Sequence, residues 1–193
     1  MASEGPLYPT AVQQFGTGSE ADEAWVNGGN IVADDGSTAS VTAATFDNND
    51  ITNRLRGLTY GFSIPADATV NGIIVEIERH ASAGSAVDFR VQLVDAAAAL
   101  AGDNNADTVT AWPGTAGIAT YGAADDMWGT TLGPSDINDA DFGVVVSVQA
   151  TGNNTDVHID YIRVTVHYTP AGGGGAVADT YYYRSTGQGA HHG

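Results

Sequence analysis

Four stretches of the chain alternate apolar and polar residues with a period of two. In GIIVEIERH, Ile73, Val75 and Ile77 fall on one face while Ile74, Glu76 and Glu78 fall on the other. A half-buried β-strand has this period, because its successive side chains point to opposite faces. DFRVQLVD repeats it, with Phe89, Val91 and Leu93 inward and Arg90 and Gln92 outward, and FGVVVSVQA sets Phe142, Val144, Val146 and Val148 on one face. The longest run, DVHIDYIRVTVHYTP, directs Ile162, Val164, Val166 and Tyr168 inward and Arg163, Thr165 and His167 to water. Weaker strand candidates lie in TASVTAATF around Val41, in LTYGFSIP through Leu58, Tyr60, Phe62 and Ile64, and near Val109 and Tyr121.

Between these runs stand ADDGS, DNND, PADATVNG, SAGS, GDNN and TGNNT, rich in the Asp, Asn, Gly and Pro that tight turns use. Roughly eight short strands separated by turns predict an all-β fold, a single antiparallel β-sandwich of jelly-roll-like topology. Helix is scarce. VDAAAALAGDNN has helix-forming residues from Val94 to Ala101, but it follows directly on a strand and an isolated helix of that length is marginal. It reads as a strand end and a connection. GPSDIND is a one-turn helix candidate, with Ser135 placed to cap it.

At 193 residues the chain accommodates one domain of about 150 residues with extensions. The expected division is an extended N-terminal segment (1–23), a sandwich domain (24–170) and a Gly-rich C-terminal arm (171–193). Charge narrows the function. The chain has 23 acidic residues against six arginines and no lysine, for a formal net charge of −17. Nucleic acid, whose affinity for proteins comes mostly from Lys and Arg on phosphates, is disfavoured as a partner, and so is an anionic membrane surface. An acidic, lysine-free surface suits a high-salt setting, where screening tolerates such a charge; biased codon usage with selection for solubility gives the same composition. The absence of cysteine excludes a disulfide framework, a Cys-ligated zinc and a thiol nucleophile. The opening MASEGPLYPTAVQQFGTGSE has no basic start and no apolar run of signal-peptide length, so synthesis in a cytoplasm is expected.

A set of motifs follows in order along the chain: YPTAV (8–12), AWVN (24–27), ADDGS (33–37), GFSIP (61–65), TVNGIIVEIER (69–79), VQLV (91–94), Trp112 ahead of Tyr121 and Gly122, DMWG (126–129), SDIND (135–139), FGVVVSV (142–148) and HIDYIRVTVHY (158–168). In this order they resemble a β-sandwich module of structural proteins of tailed phages and related viruses, which recurs in microbial surface proteins. The resemblance covers residues 7 to 170, is specific as an ordered set, and is weak motif by motif. It implies a virion component made in the host cytoplasm: a capsid decoration protein, a turret or head fibre, or a tail component. It implies no enzyme and transfers no catalytic residue. The lysine-free surface departs from the pattern and leaves open a virus of a halophilic host.

Candidate chemistry is thin, and no catalytic or cofactor-binding constellation is read. His158 and Asp160 are two apart and share a strand face, as a base and its orienting carboxylate would. The same parity aligns them with Ile162 and Val164, so Asp160 reads better as a buried acceptor paired with an arginine such as Arg79. Asp47 and Asp50 flank an oxygen-rich turn, a weak candidate for structural calcium, although consecutive turn residues seldom converge on one ion. His191 and His192 read as exposed. Trp25, Trp112 and Trp128 border loops; they are either plugs at the sandwich rim or stacking platforms for a sugar or receptor. That second role defines the alternative function, a glycan- or receptor-binding module of adhesin type.

Gly172 to Gly175 read as a spacer. Tyr181, Tyr182, Tyr183 and Arg184 beyond it are of the kinds enriched at interfaces. They are the expected assembly residues, contacting copies of the same chain, as in a trimer with exchanged arms, or other virion proteins such as capsid or tail subunits.

Overall fold

Period-two runs become strands here because each can bury one apolar face against a second sheet. The computed structural model describes residues 1–42 and 44–172. Ten strands run in order along them: β1 (Ala2–Leu7), β2 (Ala11–Phe15), β3 (Ala39–Val41), β4 (Arg54–Leu58), β5 (Thr69–Ala83), β6 (Ala86–Val94), β7 (Leu100–Ala101), β8 (Gly117–Tyr121), β9 (Gly143–Ala150) and β10 (Asp156–Thr169). A 3-10 turn at Gly28–Ile31 and one helical turn, α1, at Pro134–Ile137 complete the regular structure.

The strands form an antiparallel β-sandwich. One sheet has the order β1-β10-β5-β8, with β3 also on β10; the other has the order β2-β4-β9-β6-β7. Successive strands cross between the sheets at every step except β6 to β7, as in jelly-roll folds. β1 and β3 lie end to end along one edge of β10, Ala2 opposite Tyr168 and Leu7 opposite Val164, then Ala39 opposite Ile159 and Val41 opposite Val157. The first 23 residues thus supply an edge strand to each sheet, and no structural boundary falls at residue 24. Of the expected arm, residues 173–193 lie outside the described residues, and with them Tyr181, Tyr182, Tyr183, Arg184, His191 and His192.

The core is where the alternation puts it. Ile73, Val75, Ile77, Val91, Leu93, Phe142, Val144, Val146, Val148, Ile162, Val164 and Val166 are all buried, each side chain contributing about 1.5–3 kcal/mol by leaving water. Departures occur where the backbone breaks the period. A bulge between Asp88 and Arg90 in the β6–β9 ladder leaves Phe89 half-buried and turns Asp88 into the core. A second bulge, between Ile159 and Tyr161 in the β10–β5 ladder, reverses the parity of the start of β10. Val157 and Ile159 face inward, and His158 and Asp160 do not align with Ile162.

LTYGFSIP is not a strand. Thr59 takes a left-handed φ of 56°, which ends β4 there, and Tyr60, Phe62 and Ile64 reach the core from an irregular segment. Tyr60 and Phe62 pack against each other and against Phe142 at ring separations of 6.0–6.4 Å. Val109 is an exposed loop residue. Gly133, not Ser135, precedes the helical turn, donating its N–H to Asp136 Oδ2 at 2.8 Å. Between β4 and β9 the backbones meet so closely that a methyl on Gly143 would run into the Gly57 carbonyl, so this crossing needs glycine for space.

Candidate functional site

Arg79 has the parity of Ile73, Val75 and Ile77 on β5 and therefore points between the sheets. A buried guanidinium requires a partner. The β6 bulge provides it: Arg79 Nη1 lies 2.6 Å from Asp88 Oδ1, which joins the two sheets through their interior. Asp88 has no exposure, and Arg79 only 7%. Three more donors converge on the carboxylate: Trp112 Nε1 at 2.8 Å, the Tyr121 hydroxyl at 2.8 Å and the Asp107 amide at 3.0 Å. The Arg79 guanidinium also lies 4.8 Å from the Trp112 ring centroid and 5.9 Å from that of Tyr121. Burial pushes the Asp88 carboxyl up, Arg79, the Tyr121 hydroxyl and the Asp107 amide oppose it, and the Asp107 charge adds to the rise. Four donors and no acceptor face this group, so the ionised form is the one the site is built to hold.

A cleft of about 510 Å³ opens over this cluster, between β8 and the segment that follows β7. Arg79 and Tyr121 form its floor and Asn105, Asp107, Thr120 and Asp126 its polar walls. The wall carboxylates already have tasks. Asp107 accepts from the Val109 and Thr110 amides at 3.0 and 2.9 Å, and those bonds hold it below its usual range. Asp126 accepts from the Trp128 amide at 2.7 Å. Such walls can hydrogen-bond a polyhydroxyl or amide ligand. The lining includes neither a serine nor a histidine, so a hydroxyl nucleophile paired with an imidazole base is not among its chemistries.

The three tryptophans do not share a groove. Trp25, Trp112 and Trp128 are at most 5% exposed. Their indole N–H groups are spent inside the fold, on the Asn53 carbonyl (2.9 Å), Asp88 and the Ile73 carbonyl (2.9 Å) respectively. Buried indoles with internal partners have no face on which a sugar can stack, and each acts as a plug in its own seam. Only Trp112 borders the cluster beneath the cleft.

Asp160 does not pair with Arg79, which faces the opposite side of its sheet. The Asp47–Asp50 turn is closed internally: Asp50 Oδ2 accepts from the Asp47 amide and Asp47 Oδ1 from the Asn154 amide, each at 2.8 Å. Its carboxylates are turn acceptors, and they are absent from the carboxylate group that could hold a metal among the described residues. His158 lies on the outer face, stacked on His80 at 4.6 Å and bonded to Ser82 at 2.9 Å, and among the described residues no carboxylate is hydrogen-bonded to its ring to orient it as a base.

Sequence reasoning missed Asp88 and Glu20. Arg79 in an apolar row was the available signal for the first, but its partner depends on a bulge. Glu20 is 3% exposed on the outer face of the second sheet, where Arg54 Nε (2.7 Å), Arg90 Nε (2.9 Å) and Ser147 Oγ (2.6 Å) donate to it. Nothing in its neighbourhood, TGSEADE, marks it.

No family model matches the chain, and the comparison with curated proteins finds no match. Among solved structures, it is similar to the N-terminal cellulose-binding domain of β-1,4-glucanase C from Cellulomonas fimi, at 10% identity and a TM-score of 0.37, over 69% of this chain and 78% of that one.

Proposed function

We propose that the protein is a non-enzymatic virion structural component, a capsid decoration, turret, head-fibre or tail protein, that presents its sandwich outward and attaches through the segment after Pro170. The carrying observation is polarity of layout. Ala2 lies opposite Tyr168 and Thr69 opposite Thr169, so the start of β1 and the end of β10 lie at one pole of the sandwich. The far end of β10, about 45 Å away at ~3.4 Å per residue, is sealed by turns bonded to one another: the Asn49 amide to the Ala150 carbonyl, Asn154 to Asp47, and Thr155 to the Phe46 carbonyl. A tether at one pole and a closed opposite pole suit a domain displayed on a surface. The resemblance of the ordered motifs to phage structural modules supports the same reading. The use of buried charge does too, since Glu20 and Asp88 are saturated by structural donors.

Copies of itself and other virion proteins are the proposed partners, with Tyr181, Tyr182, Tyr183 and Arg184 as the contact. Deleting residues 171–193 should leave thermal unfolding of the sandwich unchanged while abolishing self-association in light scattering and incorporation into particles. A truncated protein that still incorporates at the full-length level would end this reading.

The cleft over Arg79 and Tyr121 favours a second reading, a glycan- or receptor-binding module. Titration with a panel of polysaccharides, followed by intrinsic fluorescence of Trp112 and Tyr121, addresses it; saturable quenching that disappears in Thr120→Trp, which fills the cleft, would favour it over the first.

A further inference from the structure

At the β10 bulge, Ile159 is opposite Arg79 and Tyr161 opposite Glu78, which leaves Asp160 as the extra residue on the outer side of the sheet beside Glu78. Between the ends of β1 and β3 the edge of β10 is covered by the segment after the 3-10 turn, anchored by a bridge from Val32 to Tyr161. That segment carries Asp34 to the same place. One carboxylate oxygen from each of Asp34, Glu78 and Asp160 lies within 4.8 Å of the others.

Asp160 gives this cluster a meaning beyond acidity. It is only 5% exposed. Its Oδ2 accepts from the Gly36 amide at 3.2 Å, whereas its buried Oδ1 has no partner among the described residues. A buried carboxylate oxygen left unbonded is costly, and the carboxylates of Asp34 and Glu78 close to Asp160 add repulsion. Arg163, three residues along β10, is committed to Glu76 at 3.0 Å. His158 is turned to Thr38 and Ser82.

We propose that Asp34, Glu78 and Asp160 form a binding site for a hard divalent cation, calcium in the first place, that clamps the 32–37 segment onto β10. An all-carboxylate donor set selects a hard ion over zinc or copper. Oxygens bound at about 2.4 Å to one calcium lie no more than about 4.8 Å apart, a limit the three carboxylates meet, and calcium accepts a more irregular oxygen shell than magnesium does. Exposed Asp34 and half-buried Glu78 leave one side open for the waters that complete a calcium shell. This inference is independent of the proposed function and concerns a site that the sequence did not single out, since Asp47 and Asp50 were the calcium candidates there.

The test uses the full chain, stripped with EDTA, and calcium chloride as the probe, with sodium chloride at matched ionic strength as the control. At about a hundredfold excess over Kd, calcium should raise Tm by about 5–10 °C beyond the control. The rise should vanish in Asp34→Asn, an exposed position where folding is not at risk, and in Asp160→Asn, which keeps the acceptor for Gly36. Terbium bound there should be sensitised by Tyr161 and displaced by calcium, with at least a tenfold loss of emission in Asp34→Asn. No calcium-specific rise, or a rise retained in both variants, overturns the site.

Discussion

Asp88 is a wholly buried carboxylate on which an arginine, an indole, a phenol and a backbone amide converge. Its worth lies less in the attraction than in what its removal exposes. Asp88→Ala would leave the Arg79 guanidinium buried and unpaired and would strand the Trp112 and Tyr121 donors. Breaking a buried pair by deleting one partner costs about 3–5 kcal/mol, so the urea midpoint should fall sharply with an unchanged m-value. A loss below about 1 kcal/mol would mean that water enters the cleft and solvates Arg79. The same residue fixes Arg79 and Tyr121 from beneath the cleft.

Between elements, Glu20 plays the corresponding part on the outer face of the second sheet. Arg54 is on β4, Arg90 on β6 and Ser147 on β9, so one carboxylate ties the 17–20 turn across three neighbouring strands. Burial raises the Glu20 carboxyl, but hydrogen bonds from Arg54, Arg90 and Ser147 outweigh it and hold the group below its usual value of 4.5. With the folded-state value depressed, the unfolded chain takes up the proton first as pH falls. The stabilisation is therefore complete above about pH 4.5 and is lost as pH falls through the folded value. Glu20→Gln keeps the volume and removes the charge. Its Tm should lie below that of the wild type at neutral pH, and the gap should narrow progressively as pH falls below 4.5. A gap constant with pH would show that shape alone, and not charge, holds the turn.

At the scale of the whole molecule, a net charge of −17 on a single sandwich means self-repulsion in the folded state. Only four ion pairs are formed among the described residues, and they use Arg54, Arg79, Arg90 and Arg163. Arg56 lies 4.8 Å from the Phe15 ring centroid instead. Among the described residues the remaining acidic surface has no arginine paired with it, so mobile ions must supply the counter-charge. Raising sodium chloride from about 0.1 M to about 1 M shortens the screening length from about 10 Å to about 3 Å, and Tm should rise by several degrees in a calorimetric series. A Tm that falls with salt would mean that the four internal pairs, and not the surface, dominate the electrostatics. The same acidic surface fits the proposed display role, because like-charged copies repel one another.

The sequence by itself determined the all-β class, the inward rows of β5, β9 and the second half of β10, and the turn positions, because each of these is set by side-chain period and local backbone preference over a few residues. The conflict at Arg79, a charge in an apolar row, was legible in the same way. Its resolution was not. Whether Asp88 or Asp160 answers Arg79 depends on two bulges, each a single-residue slip that inverts side-chain direction and is stabilised by pairing with a strand distant in sequence. The burial of Glu20, the plugging of the three tryptophans and the meeting of Asp34 with Glu78 and Asp160 have the same origin. They depend on which strands become neighbours, and strand pairing is decided only when two sheets close over one core.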